Sequence, residues 1–131
     1  PFHDNSVDIV FTSHFLEHLD KDDGFIFLQN AYNSLKLGGI LRLVIPDLDT
    51  AIQMLNEGRI DEVQDLFFYT SKSYDYSAHK YNYNFKTLSH KLELIGFKNI
   101  VKLSYKVGEC PNLDFLDLYP DHSLYIEAYK S

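Results

Sequence analysis

The sequence has no tryptophan, a single cysteine and no long apolar run, and each absence excludes a class of protein. Because Cys110 has no second cysteine, the chain forms no internal disulfide and no cysteine-based structural zinc site. No apolar run approaches the ~20 residues that cross a bilayer, so we expect no membrane contact. No stretch resembles a signal peptide, and we therefore expect a cytoplasmic protein.

Basic residues are also scarce, with 12 Lys and Arg against 19 Asp and Glu, which gives a net charge of -7. This acidic balance disfavours binding to nucleic acid or to anionic lipid. We therefore expect a small-molecule substrate or a protein partner. The 131 residues, 45% of them hydrophobic, suffice for one domain with its own core, over residues 1–131.

Apolar patterning in the first half of the chain predicts an α/β fold. Continuous apolar runs over residues 7–12 and 40–45 are typical of strands that are buried on both faces of a parallel sheet. Between them, helical spacing predicts an amphipathic helix that begins at Asp22-Asp23 and stops at Gly38-Gly39. The three elements together form a right-handed crossover.

Patterning in the second half of the chain predicts three further helices and two strands that each have one solvent-exposed face. Helices are expected over residues 49–58, 60–67 and 84–96, the last with Asn84 as its cap. Residues 70–84 have no periodicity and predict a surface loop. Alternation over residues 101–107 and 124–128 predicts two strands. Their connection, residues 108–122, contains Pro111 and Pro120 and no convincing long helix, which favours antiparallel pairing.

Three motifs follow one another in a recognisable order. They are Pro-Phe-x-Asp-Asn-Ser-Val-Asp at residues 1–8, Ser-His-Phe-Leu-Glu-His-Leu at 13–19, and Leu-Lys-Leu-Gly-Gly-x-Leu-Arg-Leu-Val-Ile-Pro-Asp-Leu at 35–48. In this order they resemble class I S-adenosylmethionine-dependent methyltransferases, and more narrowly the short type-11 group. Residues 88–97, 101–107 and 123–128 are similar to the C-terminal portion of that group, so the resemblance spans nearly the whole chain.

The resemblance implies a three-layer Rossmann-like half-sheet with flanking helices. The family's seven strands are ordered 3-2-1-4-5-7-6, and this chain supplies strands that resemble 4-5-7-6, the last strand being antiparallel. Strands one to three are expected to be missing, together with the glycine-rich loop that grips the cofactor. S-adenosylmethionine is therefore the implied cofactor, whereas we expect the isolated chain to bind it weakly and to be inactive.

Candidate site residues follow the predicted strands. Ligands of open α/β sheets bind beyond the carboxyl ends of the strands, which points to Ser13, His14 and Asp47. The resemblance implies that Phe2, Ser13 and His14 adjoin the cofactor, and Glu17 and His18 carry over from it less directly. We predict that His14 is also catalytic and that Glu17 and Asp47 bind the substrate. The alternative is that His14 and Glu17 only satisfy backbone donors at a helix start.

The resemblance implies that the tyrosine-rich loop over residues 70–84 covers the substrate. Tyr81 and Tyr83 are its candidate substrate-binding residues, beside Tyr74 and Tyr76. An aromatic ring that carries a hydroxyl group suits the entrance of a binding site. His79 is the candidate general base of the loop, since a neutral imidazole accepts a proton near neutrality. The alternative is that these rings pack on the core and reach water through their hydroxyls.

Two patterns suggest a metal, and we predict none. The segment His14-Phe15-Leu16-Glu17-His18 spells the H-x-x-E-H motif of inverted zinc proteases, but such a site needs a long stable helix and a third ligand. The carboxylates at residues 114, 117 and 121 are interpreted as a solvated acidic stretch. His90 and His122 are predicted to face solvent.

Three functions therefore stay open. The first is the C-terminal part of a methyltransferase that acts on a small molecule. The second is a non-catalytic regulatory or interaction module, a homodimer that pairs through the exposed edge of the strand from Val7 to Thr12, or its flanks. The third and most remote is a zinc metalloprotease.

Overall fold

A mixed four-stranded sheet organises the chain in the computed structural model, which describes residues 2–68 and 79–131. The strand order is β1-β2-β4-β3, with β1 parallel to β2 and β4 antiparallel to both of its neighbours. This order, with its antiparallel last strand, confirms the predicted half-sheet. The strands are β1 Val7–Ser13, β2 Leu35–Pro46, β3 Lys98–Leu103 and β4 Ser123–Tyr129.

Helices and turns connect the strands. They are a 3-10 turn at Leu16–His18, α1 Lys21–Ser34, α2 Leu48–Asn56, α3 Ile60–Val63, a π-helical turn at Gln64–Phe68, α4 Phe85–Ile95 and α5 Leu113–Leu116. None of the helices in the described ranges is both long and apolar enough to cross a bilayer.

The pairing of β2 with β4 sorts their side chains onto two faces. Leu41, Leu43 and Ile45 oppose residues 128, 126 and 124 of β4, and this face carries the main core against α1 and α4. Ile40 and Arg42 oppose Tyr129 and Glu127 on the other face, which is covered by the segment that contains α5. The two-residue period of the strands thus gives the sheet two different interiors.

Arg42 lies at the centre of the second interior, where it binds two carboxylates. Its Nε donates to Asp117 Oδ1 at 3.0 Å, its Nη1 to Glu127 Oε2 at 2.6 Å, and its Nη2 to the second oxygen of Asp117. Nη1 also donates to the carbonyl of Val107 at 2.9 Å. Asp117 is fully buried, so its interpretation as part of a solvated acidic stretch is wrong.

The first predicted helix ends earlier than its Gly-Gly signal indicated. Asp20 caps α1 by accepting a hydrogen bond from Asp23 N, and β2 begins at Leu35. The two glycines belong to β2, where Gly38 N donates to Lys130 O at 2.6 Å. A side chain on Gly39 would meet Lys36 O at 2.8 Å and Asp8 O at 3.1 Å, so the glycine serves a close approach of backbones.

Other boundaries also differ from the predicted ones because of tertiary contacts. The strand predicted over residues 101–107 lies at Lys98–Leu103, since the chain turns at residues 104–107 and Lys106 N donates to buried Asp117. The helix predicted over residues 60–67 is α3 followed by the π-helical turn. The helix α4 is confirmed, with a reciprocal capping box of Asn84 and Thr87.

Candidate active site

A cavity of about 250 Å³ opens at the edge of the sheet where β1 and β2 end. Five parts of the chain form its wall. They are the link after β1, the end of β2, the π-helical turn, the described residues that precede α4, and the link before β4. The lining residues are His14, Glu17, His18, Pro46, Leu66, Phe67, His79, Tyr119 and His122. The cavity lies where ligands of open α/β sheets bind.

His14 directly follows β1, adopts the left-handed region with φ 52°, and lines the cavity. Its backbone N–H donates to Val44 O at 2.7 Å, which holds this turn against β2. Its Nδ1 lies 3.5 Å from Glu17 Oε2, and its Nε2 lies 3.1 Å from Ser123 Oγ. The imidazole therefore lies between a carboxylate and a hydroxyl group.

Glu17 places a carboxylate below the cavity surface, where the side chain is 1% exposed. Neither of its oxygens accepts a hydrogen bond within the described ranges. The ring nitrogens His14 Nδ1 and His18 Nε2 lie 3.5 and 3.8 Å from Oε2. These separations exceed the ~2.7–2.9 Å of a charge-assisted hydrogen bond, so the carboxylate is only loosely paired.

Backbone hydrogen bonds hold His79 beside Glu17. The N–H groups of Lys80 and Tyr81 both donate to Glu17 O, at 2.7 and 3.2 Å. This leaves the His79 ring 4.9 Å from the His18 ring, edge to face. Burial lowers the pKa of His79, although the nearby Glu17 carboxylate and a hydrogen bond to the Phe67 backbone act in the opposite direction.

The structure brings only some of the predicted site residues together. His14, Glu17 and His79 share the cavity, and Ser13 ends β1 beside it. Phe2 is 74% exposed and borders a separate cavity with Val10 and Phe27. Tyr74 and Tyr76 lie outside the described residues.

The remaining predicted residues occupy structural positions near the site. Asp47 caps α2 by accepting from Asp49 N at 3.1 Å, and burial raises the pKa of this carboxyl. Tyr83 is fully buried, and its ring packs edge to face on Tyr81 at 4.9 Å. The roles of Asp47, Tyr81 and Tyr83, like those of the cavity residues, stay predictions.

Several cavity residues were missed by the sequence. His122 was predicted to face solvent, and the structure corrects this, since it is half-buried in the wall with a buried Nδ1. A signal for it exists, because a strand that runs antiparallel to β2 begins where β2 ends. Residues just before β4, such as Tyr119 and His122, therefore lie at the carboxyl edge.

The helix that a zinc protease motif requires is not formed between residues 14 and 18. Only Leu16–His18 is helical, as a single 3-10 turn, and His14 lies outside it with a positive φ. The two histidines of the motif are therefore not carried by one stable helix.

Residues 1–43 match the family model described as "Methyltransferase domain". The chain also superposes on a SAM dependent methyltransferase from Archaeoglobus fulgidus, with a TM-score of 0.63 and 22% identity over 98% of this chain. The fold is that of a SAM-dependent methyltransferase. A second neighbour is a possible histamine N-methyltransferase from Thermotoga maritima, with a TM-score of 0.64 and 18% identity over 100% of this chain.

A third neighbour was solved with a bound small molecule, SAH. It is PigF with SAH, with a TM-score of 0.58 and 14% identity over 95% of this chain. The chain spans 62% of the Archaeoglobus protein, 59% of the Thermotoga protein and 30% of PigF. No curated protein sequence matches the chain.

The residues beside β1 fit one side of an adenosyl group. Phe2, Val10 and Phe27 line a cavity beside this edge strand, and this is the kind of apolar surface against which a base or ribose packs. None of the four strands in the described ranges is followed by a glycine-rich loop. These residues therefore fit the cofactor as a wall of its site.

Proposed function

We propose that this chain is the C-terminal part of an S-adenosylmethionine-dependent methyltransferase that transfers a methyl group to a small-molecule acceptor in the cytoplasm. The observation that carries the proposal is the cavity at the carboxyl edge, which has His14 in its wall. Its volume of about 250 Å³ is near the lower end of small-ligand sites. The net charge of -7 supports a small acceptor over a nucleic acid.

His14 is the proposed general base. When bound, S-adenosylmethionine supplies an electrophilic methyl group. His14 takes the proton that the acceptor loses as its oxygen or nitrogen attacks, and Glu17, 3.5 Å from Nδ1, stabilises the imidazolium that forms. The Ser123 hydroxyl beside Nε2 can donate or accept a hydrogen bond, so it tolerates either tautomer.

His79 is the second candidate base. Burial lowers the pKa of this residue, which keeps its imidazole neutral near pH 7 and able to accept a proton. Ser13, His14 and Phe2 are the proposed cofactor neighbours, while Glu17, Asp47, Tyr81 and Tyr83 are proposed for the acceptor side.

The test measures methyl transfer from radiolabelled S-adenosylmethionine to a panel of small amines, alcohols and carboxylic acids. It compares the 131-residue chain with the longer gene product of which we propose it is the C-terminal part. We expect transfer by the gene product and little transfer or cofactor binding by the printed chain, because half a pocket loses the positioning that drives the reaction. Micromolar cofactor binding by the printed chain would overturn its proposed inactivity.

A matched pair of variants tests the role of His14. His14→Gln should lower kcat by about 100-fold or more, with a small effect on KM for the cofactor. His90→Gln, which changes an exposed histidine of α4, should leave kcat unchanged. Equal kcat in the two variants would remove His14 from the proposal, and absence of transfer by the gene product would remove the methyltransferase itself.

The position of β1 favours a second candidate, a homodimeric interaction module. In the sheet formed by the described residues β1 lies at one edge, and Ile9 on this strand is 39% exposed. Two copies paired through this edge would be related by two-fold symmetry. Light scattering during size exclusion should then give twice the mass of the chain, and Ile9→Lys should restore the monomer; a monomeric parent chain would reject this candidate.

A further inference from the structure

Glu17 is buried without the hydrogen bonds that a carboxylate requires. Its side chain is 1% exposed, and both oxygens lack a hydrogen-bond donor in the part of the chain that the structure describes. Buried charges in proteins are paired closely or they coordinate metal ions. The closest ring nitrogens, at 3.5 and 3.8 Å, do not pair it closely. The carboxylate thus has coordination capacity that the described residues do not use.

Three potential ligand atoms converge around this carboxylate. One oxygen of Glu17 and one ring nitrogen from each of His18 and His79 all lie within 4.8 Å of one another. Ligands at ~2.0–2.2 Å from a tetrahedral ion are about 3.4 Å apart, so the three atoms reach ligand distance when their separations shrink by about 1.4 Å or less. The ring of His14 adjoins the same carboxylate, with Nδ1 at 3.5 Å from Oε2.

His79 is oriented as a metal-binding histidine is. Its Nδ1 is buried and has no hydrogen-bond partner in the described ranges, while the ring bonds to the Phe67 backbone. In metal sites one ring nitrogen binds the ion, and the other donates to a carbonyl or carboxylate that fixes the tautomer and the ring plane. The hydrogen bonds from residues 80 and 81 to Glu17 O fix the backbone beside both ligands.

The donor set indicates the class of ion. Two imidazoles and one carboxylate suit zinc, cobalt, nickel and iron, whereas magnesium and calcium prefer sites made of oxygen ligands. Three protein ligands also leave one position of a tetrahedral ion open, as catalytic sites do. All three residues line the cavity, so that position would face it.

We propose that Glu17, His18 and His79 form a site for a divalent transition-metal ion of the zinc and cobalt class. The site differs from the H-x-x-E-H arrangement, because Glu17 is a ligand and the distant His79 takes the place of His14. It is an alternative to the prediction from sequence that the chain binds no metal. The site depends on these three residues and not on methyl transfer.

Titration of the metal-free chain with Co²⁺ tests the proposal. We expect one Co²⁺ per chain, with the visible absorption bands of a low-coordinate ion. One equivalent of Zn²⁺ should displace the Co²⁺ and abolish these bands. Calorimetry with Zn²⁺ gives the affinity independently. Absence of saturable binding by the folded parent chain, read by circular dichroism and absorption together, would overturn the proposal whatever the variants do.

Variants assign the ligands. His79→Gln and Glu17→Gln should each weaken Co²⁺ binding by at least about tenfold. His90→Gln is the matched control, because it removes an exposed imidazole on α4 and should leave the affinity unchanged. Equal affinity in the His79 and His90 variants would contradict the assignment. A chain that binds Co²⁺ and an enzyme that fails to methylate would separate this site from the proposed function.

Discussion

Two clusters of buried charge lie in different parts of the fold and differ in how their charges are satisfied. Arg42 is enclosed between β2, β4 and the α5 segment, where Asp117 and Glu127 bind it. Glu17 is equally buried at the carboxyl edge, where it accepts no hydrogen bond from the described residues. The first cluster joins parts of the chain that are far apart in sequence, and the second leaves a charge available to a ligand.

The Arg42 cluster is satisfied because each of its carboxylates also binds backbone N–H groups. Asp117 accepts from Lys106 N at 2.7 Å, and Glu127 accepts from Glu109 N at 2.7 Å and Cys110 N at 3.2 Å. These bonds attach the segment that covers the sheet to the sheet itself. A buried ion pair of this kind holds a structure together mainly because removal of one partner leaves the others uncompensated.

Removal of the arginine should have the largest effect. Arg42→Met leaves two carboxylates buried without their cation, and we expect it to lower the free energy of unfolding by about 3–5 kcal/mol. Urea unfolding followed by circular dichroism measures this change. Lys36→Met on the same strand removes an exposed cation 3.5 Å from Asp8 and should cost less than about 1 kcal/mol. Similar losses in both variants would show that the cluster stabilises no more than a surface pair does.

A methyl group at Gly108 should disturb the same cluster from outside. Gly108 has φ 153°, and a Cβ there would overlap Glu127 Oε2 and lie 2.6 Å from Arg42 Nη1. We expect Gly108→Ala to cost about 3 kcal/mol through overpacking and backbone strain. Gly58→Ala, where φ is 81° and the Cβ meets nothing within 4 Å, should cost about 1 kcal/mol for the backbone alone. If urea unfolding gave equal losses of stability in the two variants, the clash at residue 108 would contribute nothing.

The smallest effect is expected at Tyr83, beside the Glu17 cluster. Its hydroxyl is buried without a partner in the described ranges, and burial raises the pKa of Tyr83 from 10.0 to about 12. Tyr83→Phe should therefore change the free energy of unfolding at pH 7 by less than about 1 kcal/mol, because no hydrogen bond is lost. A loss above about 2 kcal/mol would show that the hydroxyl is bonded in solution.

The raised pKa also predicts a pH dependence that this variant removes. The unfolded chain releases the Tyr83 proton near pH 10, before the folded protein does, so the unfolded state binds fewer protons between pH 10 and about 12. The contribution of Tyr83 to stability is therefore complete below pH 10 and is lost as the pH rises to about 12. Urea unfolding at several pH values should give a shallower loss for Tyr83→Phe than for the parent chain.

The sequence predicted those features whose signals are local. Asn84 and Gly96 mark the two ends of α4, because an N-cap side chain and a residue with positive φ each act on the adjacent helical turn. The strand order followed from the resemblance. His14 was placed at the carboxyl edge because a ligand site follows the end of a parallel strand.

Features that depend on distant partners were missed. Arg42 and Asp117 are 75 positions apart, and nothing local distinguishes Asp117 from the neighbouring exposed acidic residues. The end of α1 was misplaced because Gly38-Gly39 carries a helix-stop signal, whereas its pairing with Lys130 and its close approach to Asp8 make it part of a strand.

By itself the sequence determined an α/β chain with methyltransferase motifs. Periodicity, helix caps and motif order depend only on residues that are close together in sequence. Only the tertiary structure decided that the Glu17 carboxylate meets His79 and that the Arg42 cation meets Asp117. The physical reason is that burial of a charge depends on every segment packed around it. Which buried charge is satisfied and which is left for a ligand is therefore a property of the folded chain.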